Sequence, residues 1–224
     1  MAINDWPKDQ RPRERLINLG AHALSDPELL AVFLRTGVRG KSAVDLGRDM
    51  LQQFGSLRGL FAANLREFEQ LHGLGSAKYA QLHAVLELAK RAIKEELQTQ
   101  SSLSSPQAVR QYLQLEIGHK QYESFTILFL DIKNRLIKAQ ELFRGSLSHA
   151  SVYPREVVKS ALSHNAASVI LAHNHPSGSP EPSQADISLT QTLKSAMALV
   201  DVRILDHFIV ANHQIYSFAE NGQI

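Results

Sequence analysis

The hydrophobic pattern of this chain changes once, near residue 100, and this change constrains the fold more than any other feature. Before it, apolar residues recur at helical spacing, with glycines at the breaks between segments. After it, short apolar runs such as residues 124–132 favour strands, and they alternate with amphipathic stretches that favour helices. The sequence therefore predicts an α+β protein, with an all-helical N-terminal domain and a mixed α/β C-terminal domain.

A polar, serine-rich stretch lies where the pattern changes. Residues 98–105 read QTQSSLSS and are followed by Pro106, a composition typical of linkers and domain edges. We therefore predict a helical domain over residues 1–97, a linker over residues 98–105 and the mixed domain over residues 106–224.

Composition excludes several classes of protein. The 224 residues include no cysteine, so disulfides, thiol nucleophiles and thiolate metal sites are excluded, and a metal must be held by histidine and carboxylate. The net charge of +2 is too small to indicate a nucleic-acid partner by itself. Residues 29–34 form the longest apolar run, and residues 1–15 have no apolar signal core. We therefore expect a cytoplasmic protein with no membrane partner.

A histidine-rich loop, AHNHPSGSPEPSQAD over residues 172–186, is the most informative stretch of the chain. Side chains two positions apart on a strand share one face, so His173 and His175 can present both imidazoles to one ion. The helix that follows carries Asp186 in its first turn. Two histidines and one carboxylate leave a tetrahedral position open to water, which is typical of catalytic zinc.

Each part of this pattern also has a simpler explanation. A His-x-His pair is often two ordinary polar side chains, and Ser183 with Asp186 matches a capping box at a helix N-terminus. The joint pattern is more specific than its parts: His-x-His, seven intervening residues, Ser, two residues and Asp.

The joint pattern resembles the JAMM (MPN+) metalloprotease motif, and the wider chain resembles the RadC family of bacteria. Residues 153–157, residues 205–210 and the helical front half are also similar to that family. The resemblance implies a JAMM domain with a cytidine-deaminase-like sheet, and one zinc ion per chain. It assigns three metal ligands and an active-site serine: His173, His175 and Asp186, with Ser183.

Similar JAMM enzymes use a glutamate on the first strand as the general acid–base. Glu123 lies at the start of the first predicted strand, where that glutamate falls, although it is also explained as an exposed strand-edge acid. Glu156 is the competing candidate, and its simpler explanation is a favourable charge in the first turn of a helix. We favour Glu123.

The resemblance implies a zinc-dependent metalloprotease or isopeptidase, which uses zinc-activated water to hydrolyse an amide bond in a peptide or isopeptide substrate. The alternative is a DNA-binding or DNA-repair-associated protein with a catalytically idle JAMM domain. We interpret His207 as a packed strand histidine outside the site, with Asp206 as its partner.

The front half contains a second recognisable pattern. Residues 71–92 resemble a helix–hairpin–helix element, in which a glycine turn lets backbone N–H groups at a helix N-terminus meet a phosphate. Gly73 and Gly75 form the turn, and Lys78 adds a charge. The simpler interpretation is an ordinary tight turn between two helices. The resemblance predicts weak, sequence-independent DNA binding.

Overall fold

The computed structural model describes most of the chain: residues 3–102, 105–145, 152–212 and 214–224. Residues 103–104 of the predicted linker lie outside the described residues. So do residues 1–2 of the predicted helical domain and residues 146–151 and 213 of the predicted mixed domain. The chain forms two compact units, Met1–Val85 and Leu86–Ile224.

The described residues of the first unit form α-helices, short 3₁₀ helices and one isolated bridge between Val38 and Lys41, so its regular structure is mainly helical, as predicted. Its helices are α1 Pro12–Leu19, α2 Asp26–Leu34, α3 Ala43–Phe54, α4 Leu57–Ala62, α5 Leu65–Glu69 and the first part of α6 Ser76–Thr99. Helices α2, α3 and α5 begin with capping boxes, in which an N-cap side chain and an acid three positions later bind each other's backbone N–H groups: Ser25 with Glu28, Ser42 with Asp45 and Asn64 with Glu67. Met50, Leu60 and Phe68 are fully buried in its core.

The turn between α5 and α6 contains the predicted glycine pattern. Gly73 has a φ of 91°, and a Cβ there would lie 2.1 Å from Cγ1 of Val38. Lys78 Nζ donates a hydrogen bond to the carbonyl oxygen of Gly73 at 2.6 Å. A glycine is therefore required at position 73 by packing, and Lys78 closes the turn. The helix–hairpin–helix identity of this element stays a prediction.

The second unit is built on a five-stranded mixed sheet within the described residues, with strand order β2-β1-β3-β4-β5. Its strands are β1 Ser124–Leu130, β2 Leu136–Arg144, β3 Ser168–Asn174, β4 Arg203–Ala211 and β5 Gln214–Ser217. Strand β3 is antiparallel to β1 and parallel to β4, and the outer pairs are antiparallel. The predicted mixed α/β character is confirmed, and β1 lies within residues 124–132 as the apolar run indicates, whereas the cytidine-deaminase-like comparison stays a prediction.

Helices cover both faces of this sheet. They are α7 Pro106–Ile117, α8 Pro154–Ser163 and α9 Gln184–Ala198. Leu128 of β1 packs in the cluster that includes α7, and Phe129 packs in the cluster that includes α8 and α9. Every residue of β1 and β3 is buried, because both strands lie between two helical layers.

The division between the compact units falls inside α6, before the predicted boundary at residue 97. The second part of α6 belongs to the second unit, because Ile93 and Leu97 pack with α7 and the sheet. Just after α6, the buried Ser102 donates its backbone N–H to the carbonyl oxygen of Asn134, in the turn between β1 and β2, at 2.8 Å. Among the described residues, no helix combines the length and the apolar character that a membrane span requires.

Candidate metal centre

Two elements of the second unit bring the predicted ligands together. His173 is the penultimate residue of β3, and His175 continues that strand's ladder by donating its N–H to Val210 at 3.0 Å. The loop then turns at Gly178, which has a φ of 89° and lies so close to Asn212 that a Cβ would clash with it. Helix α9 follows, with Ser183 as its N-cap and Asp186 three positions later. This path returns the Asp186 carboxylate to the end of β3.

The ligand atoms of His173, His175 and Asp186 all lie within 4.8 Å of one another. The two Nε2 atoms are 3.0 Å apart, His173 Nε2 is 3.1 Å from Asp186 Oδ1, and His175 Nε2 is 3.5 Å from Asp186 Oδ2. Ligand atoms at about 2.0–2.2 Å from a tetrahedral zinc ion lie about 3.3–3.6 Å from each other. The donor set and its spacing therefore fit a metal ion of this size.

Each of these side chains is held by a further contact. His175 Nδ1 lies 2.8 Å from the carbonyl oxygen of Ser179, and His173 Nδ1 lies 2.9 Å from His207 Nε2. Asp186 Oδ2 accepts hydrogen bonds from the hydroxyl of Ser183 at 2.6 Å and from its N–H at 2.7 Å. Contacts of this kind orient metal ligands and limit their rotation.

Electrostatics keep the carboxylate ionised. Burial opposes ionisation of Asp186, but the adjacent imidazoles of His173 and His175 outweigh it and hold the pKa of Asp186 well below its usual range. The hydrogen bond to Asp186 raises the pKa of His175, against the effect of burial, and Glu123 adds to the rise. A cation is therefore electrostatically favoured among these three side chains.

Ser183 forms the capping box that the simpler explanation describes. Its hydroxyl donates to Asp186 Oδ2, and it accepts the N–H of Asp186 at 3.2 Å. The serine therefore both caps α9 and steadies the carboxylate. Its role toward a substrate stays a prediction.

Glu123 immediately precedes β1, beside the end of β3. The antiparallel register pairs Phe125 with His173, so the start of β1 adjoins the candidate ligands. Glu156 instead lies in the first turn of α8, where its Oε1 is 3.4 Å from Arg155 Nε. This ion pair agrees with its simpler explanation as a helix-terminus charge. The choice of Glu123 over Glu156 as the acid–base stays a prediction.

Sequence reasoning missed Asn174, which holds the segment that carries Glu123. The Asn174 side chain is almost completely buried, and its Oδ1 accepts the N–H of Ser124 at 2.8 Å. Its Nδ2 donates to the carbonyl oxygens of Lys120 and Tyr122, at 3.2 and 3.0 Å. The sequence signal was an asparagine between two candidate ligand histidines at the end of a buried strand, because a buried amide needs hydrogen-bond partners on the neighbouring strand.

The same segment is tied to β2 by a salt bridge between Lys120 and Glu141. Burial opposes ionisation of Glu141, but hydrogen bonds from Lys120 and Ser124 outweigh it and lower the pKa of Glu141 to about 2. The Glu141 side chain also accepts from Arg144 at 3.0 Å. Glu141 therefore stabilises the folded state in its ionised form.

We expect Glu141→Gln to lower the free energy of unfolding by about 1.5–3 kcal/mol at neutral pH, since charge-assisted hydrogen bonds are lost. The folded pKa is depressed from 4.5, so this stabilisation is fully present above about pH 4.5 and is lost as the pH falls toward 2. Urea denaturation at pH 7 and pH 3 measures the difference between the two proteins, which should shrink at the lower pH. A difference that is independent of pH would contradict this role of the ionised carboxylate.

His207 is a fully buried residue of β4, and its ring contacts the candidate ligand His173 rather than Asp206. Asp206 accepts from Ser217 Oγ at 2.6 Å and from backbone N–H groups, including that of His207 at 2.7 Å. The ring of His207 instead contacts His173 and Thr190. The expected contact with Asp206 is therefore made by the backbone N–H of His207 and not by its ring, and the Asp206 side chain also binds Ser217 and the backbone of Ala219. Burial lowers the pKa of His207 well below its usual value.

Comparison with known families assigns both parts of the chain. The RadC-like JAB domain family matches residues 103–223, and the UPF0758 N-terminal family matches residues 3–80. The chain is 70% identical to UPF0758 protein HEAR2468 of Herminiimonas arsenicoxydans and 68% identical to a UPF0758 protein of Janthinobacterium sp. (strain Marseille). It is 56% identical to UPF0758 protein RSc2444 of Ralstonia nicotianae. Each alignment covers 100% of both proteins, and these names state no activity.

Proposed function

This chain belongs to the UPF0758 family and carries its RadC-like JAB domain, and on that premise we propose that it is a zinc-dependent hydrolase of the JAMM type. The reaction is hydrolysis of an amide bond in a peptide or isopeptide, as a metalloprotease or isopeptidase performs it. The observation that carries the proposal is the convergence of two imidazole nitrogens and one carboxylate at the end of β3.

The three side chains have the donor types that zinc prefers, two neutral imidazoles and a carboxylate. His173, His175 and Asp186 would hold one ion and leave further positions open. A zinc ion bound there would supply a Lewis acid that activates water and polarises the scissile carbonyl. The chain itself supplies the ligands, their orientation and the groups that move protons.

We assign the proton transfers to Glu123. Its carboxylate would accept a proton from the attacking water and then donate it to the leaving amine, so the group ends each cycle ionised. Positioned general acid–base catalysis is typically worth about 10²–10⁴ in rate. The Asn174 hydrogen bonds support this role because they fix the backbone on both sides of Glu123, at Tyr122 and at Ser124.

We assign to Ser183 a hydrogen bond to the oxyanion that develops on the substrate carbonyl. The residue is exposed at the N-terminus of α9, next to the carboxylate of Asp186. Its single hydroxyl proton is donated to Asp186 Oδ2, so the role requires rotation of the hydroxyl when substrate is bound. The two uses of Ser183 alternate within one cycle.

Metal analysis of the purified chain tests the proposed site. We expect about one zinc ion per chain when no chelator is used, and loss of that zinc in His173→Ala and in His175→Ala. His22→Ala provides a control, since that histidine belongs to the helical unit and is not a member of the donor set. Wild-type protein without zinc, or histidine variants with wild-type zinc content, would show that these residues are not the ligands.

DNA binding by the helical unit is a second candidate function. It is favoured by Gly75, where an added Cβ would meet nothing within 4 Å, so the backbone before α6 is open to a phosphate.

We expect weak duplex DNA binding that falls steeply with salt, because only phosphates are contacted. Gly75→Val should weaken it without unfolding the chain, since the added side chain meets open space. Fluorescence anisotropy at several salt concentrations measures the affinity. Gly73→Val is unsuitable as a test because the Val38 clash would disturb the fold. Equal affinity of wild type and Gly75→Val at all salt concentrations would exclude this turn as the contact.

A further inference from the structure

The fully buried ring of His207 connects two of the three proposed ligands. His207 Nε2 lies 2.9 Å from His173 Nδ1, and His207 Nδ1 lies 2.7 Å from Thr190 Oγ1. Thr190 Oγ1 in turn donates to the carbonyl oxygen of Asp186 at 2.6 Å. We propose that Thr190 and His207 are positioning residues that hold a proton on Nδ1 of His173 and so keep its Nε2 as an electron-pair donor to the metal. This inference rests on the proposed zinc site.

The direction of the hydrogen bonds follows from counting protons. A carbonyl oxygen only accepts, so the contact between Thr190 and Asp186 uses the single proton of the threonine hydroxyl. The contact between Thr190 and His207 then needs a proton from the imidazole, which places it on Nδ1 of His207.

The same count continues to His173. A charged imidazolium is disfavoured in a ring with no exposed surface, so His207 carries one proton and its Nε2 is an acceptor. His173 must therefore donate from Nδ1 to His207 Nε2. The lone pair of neutral His173 then lies on Nε2, the atom that faces His175 and Asp186.

Packing makes this arrangement rigid. The His207 ring stacks on Phe218 with centroids 4.8 Å apart, and it meets the edge of Phe125 at 5.8 Å. Phe125 also stacks on His173 at 6.3 Å. The two imidazoles therefore keep their orientation, and the hydroxyl of Thr190 decides which nitrogen of each ring is protonated.

This chain of hydrogen bonds from Asp186 through Thr190 and His207 to His173, here called the relay, connects proposed ligands on two different elements. It begins at the backbone of Asp186 in the first turn of α9 and ends at His173 on β3, through His207 on β4. Loss of the Thr190 hydroxyl would leave Nδ1–H of His207 facing a methyl group. The other tautomer of His207 would then donate to His173 and place the His173 proton on Nε2, where it competes with the metal.

Threonine variants of α9 test the relay with little change in volume. We expect Thr190→Val to weaken zinc binding by about 10–100-fold, the usual effect of removing an outer partner of a metal ligand. Thr190→Ser, which keeps the hydroxyl, should bind zinc about as tightly as wild type. Thr192→Val is the matched control, because Thr192 lies on the same helix and its hydroxyl also donates four residues back, to Ser188 at 2.9 Å. Competition with a chelator measures the affinities.

A second readout is independent of metal and of activity. Two-bond ¹⁵N–¹H spectra of the histidine rings in metal-free wild-type protein should show His207 and His173 protonated on Nδ1. In Thr190→Val the protonated nitrogen of His207 should change to Nε2. Thermal unfolding of the metal-free variants checks that their folds are equivalent.

Weaker zinc binding by Thr190→Val alone, together with the Nδ1 tautomers, supports the relay. Wild-type affinity in Thr190→Val overturns it, and equal losses in Thr190→Ser and Thr190→Val overturn it as well, because packing rather than the hydroxyl would then be responsible. If the wild type binds no zinc, the proposed function fails. The ¹⁵N–¹H spectrum of the wild-type protein still tests the relay in that case, because a proton on Nε2 of His207 would contradict it.

Discussion

Glu123→Gln is expected to lower the rate of amide hydrolysis by about 10²–10⁴ while zinc content and fold stay as in wild type. Glutamine has the shape of the glutamate but cannot accept and return a proton. Asp186→Ala should behave differently, because it removes a proposed ligand, so both zinc and activity should be lost. Zinc content and single-substrate kinetics, measured on an amide substrate found by screening zinc-loaded protein, separate the two effects.

Glu156→Gln is the matched control for this prediction. It removes the same charge from the first turn of α8, where the acid pairs with Arg155. The expected cost is at most about 0.3–1 kcal/mol of stability, with activity largely kept. An inactive Glu156→Gln beside an active Glu123→Gln would show that the acid–base is Glu156.

Asn174→Asp is expected to lower the free energy of unfolding by about 3 kcal/mol or more. The substitution keeps the shape and the oxygen that accepts the N–H of Ser124. It replaces the donating amide nitrogen by an oxygen that faces the carbonyl oxygens of Lys120 and Tyr122, so two attractions become repulsions in a buried site. Urea denaturation measures the effect.

The same variant separates the effect of the three Asn174 side-chain hydrogen bonds, here called the Asn174 clamp, from the effect of the candidate metal site. Because Asn174 holds the Glu123 segment and not the imidazoles, we expect Asn174→Asp to lose activity more strongly than zinc. Asn221→Asp is a control, since Asn221 is exposed and its amide nitrogen donates to the carbonyl oxygen of Ser217 at 2.8 Å. Equal stability of Asn174→Asp and wild type would contradict the role of the clamp.

Much of the fold was predictable because its signals are local. The capping pattern at Ser25 and the change of hydrophobic period each depend on residues a few positions apart. The division of the compact units inside α6 was not predictable in this way, because it depends on Ile93 and Leu97 packing against a sheet formed by residues far along the chain.

The sequence by itself determined the candidate ligand set. His173 and His175 share a strand face, and Asp186 lies at a helix start that Ser183 marks, so short spacings along one loop identify all of them. Only the tertiary structure decided what surrounds them. The ring of His207 contacts His173 rather than Asp206 because the parallel pairing of β3 with β4 places the two imidazoles on one face. Asn174 reaches the Glu123 segment because β1 runs antiparallel to β3. Such partners depend on strand order and register, which arise from packing between distant segments and leave no short-range trace in the sequence.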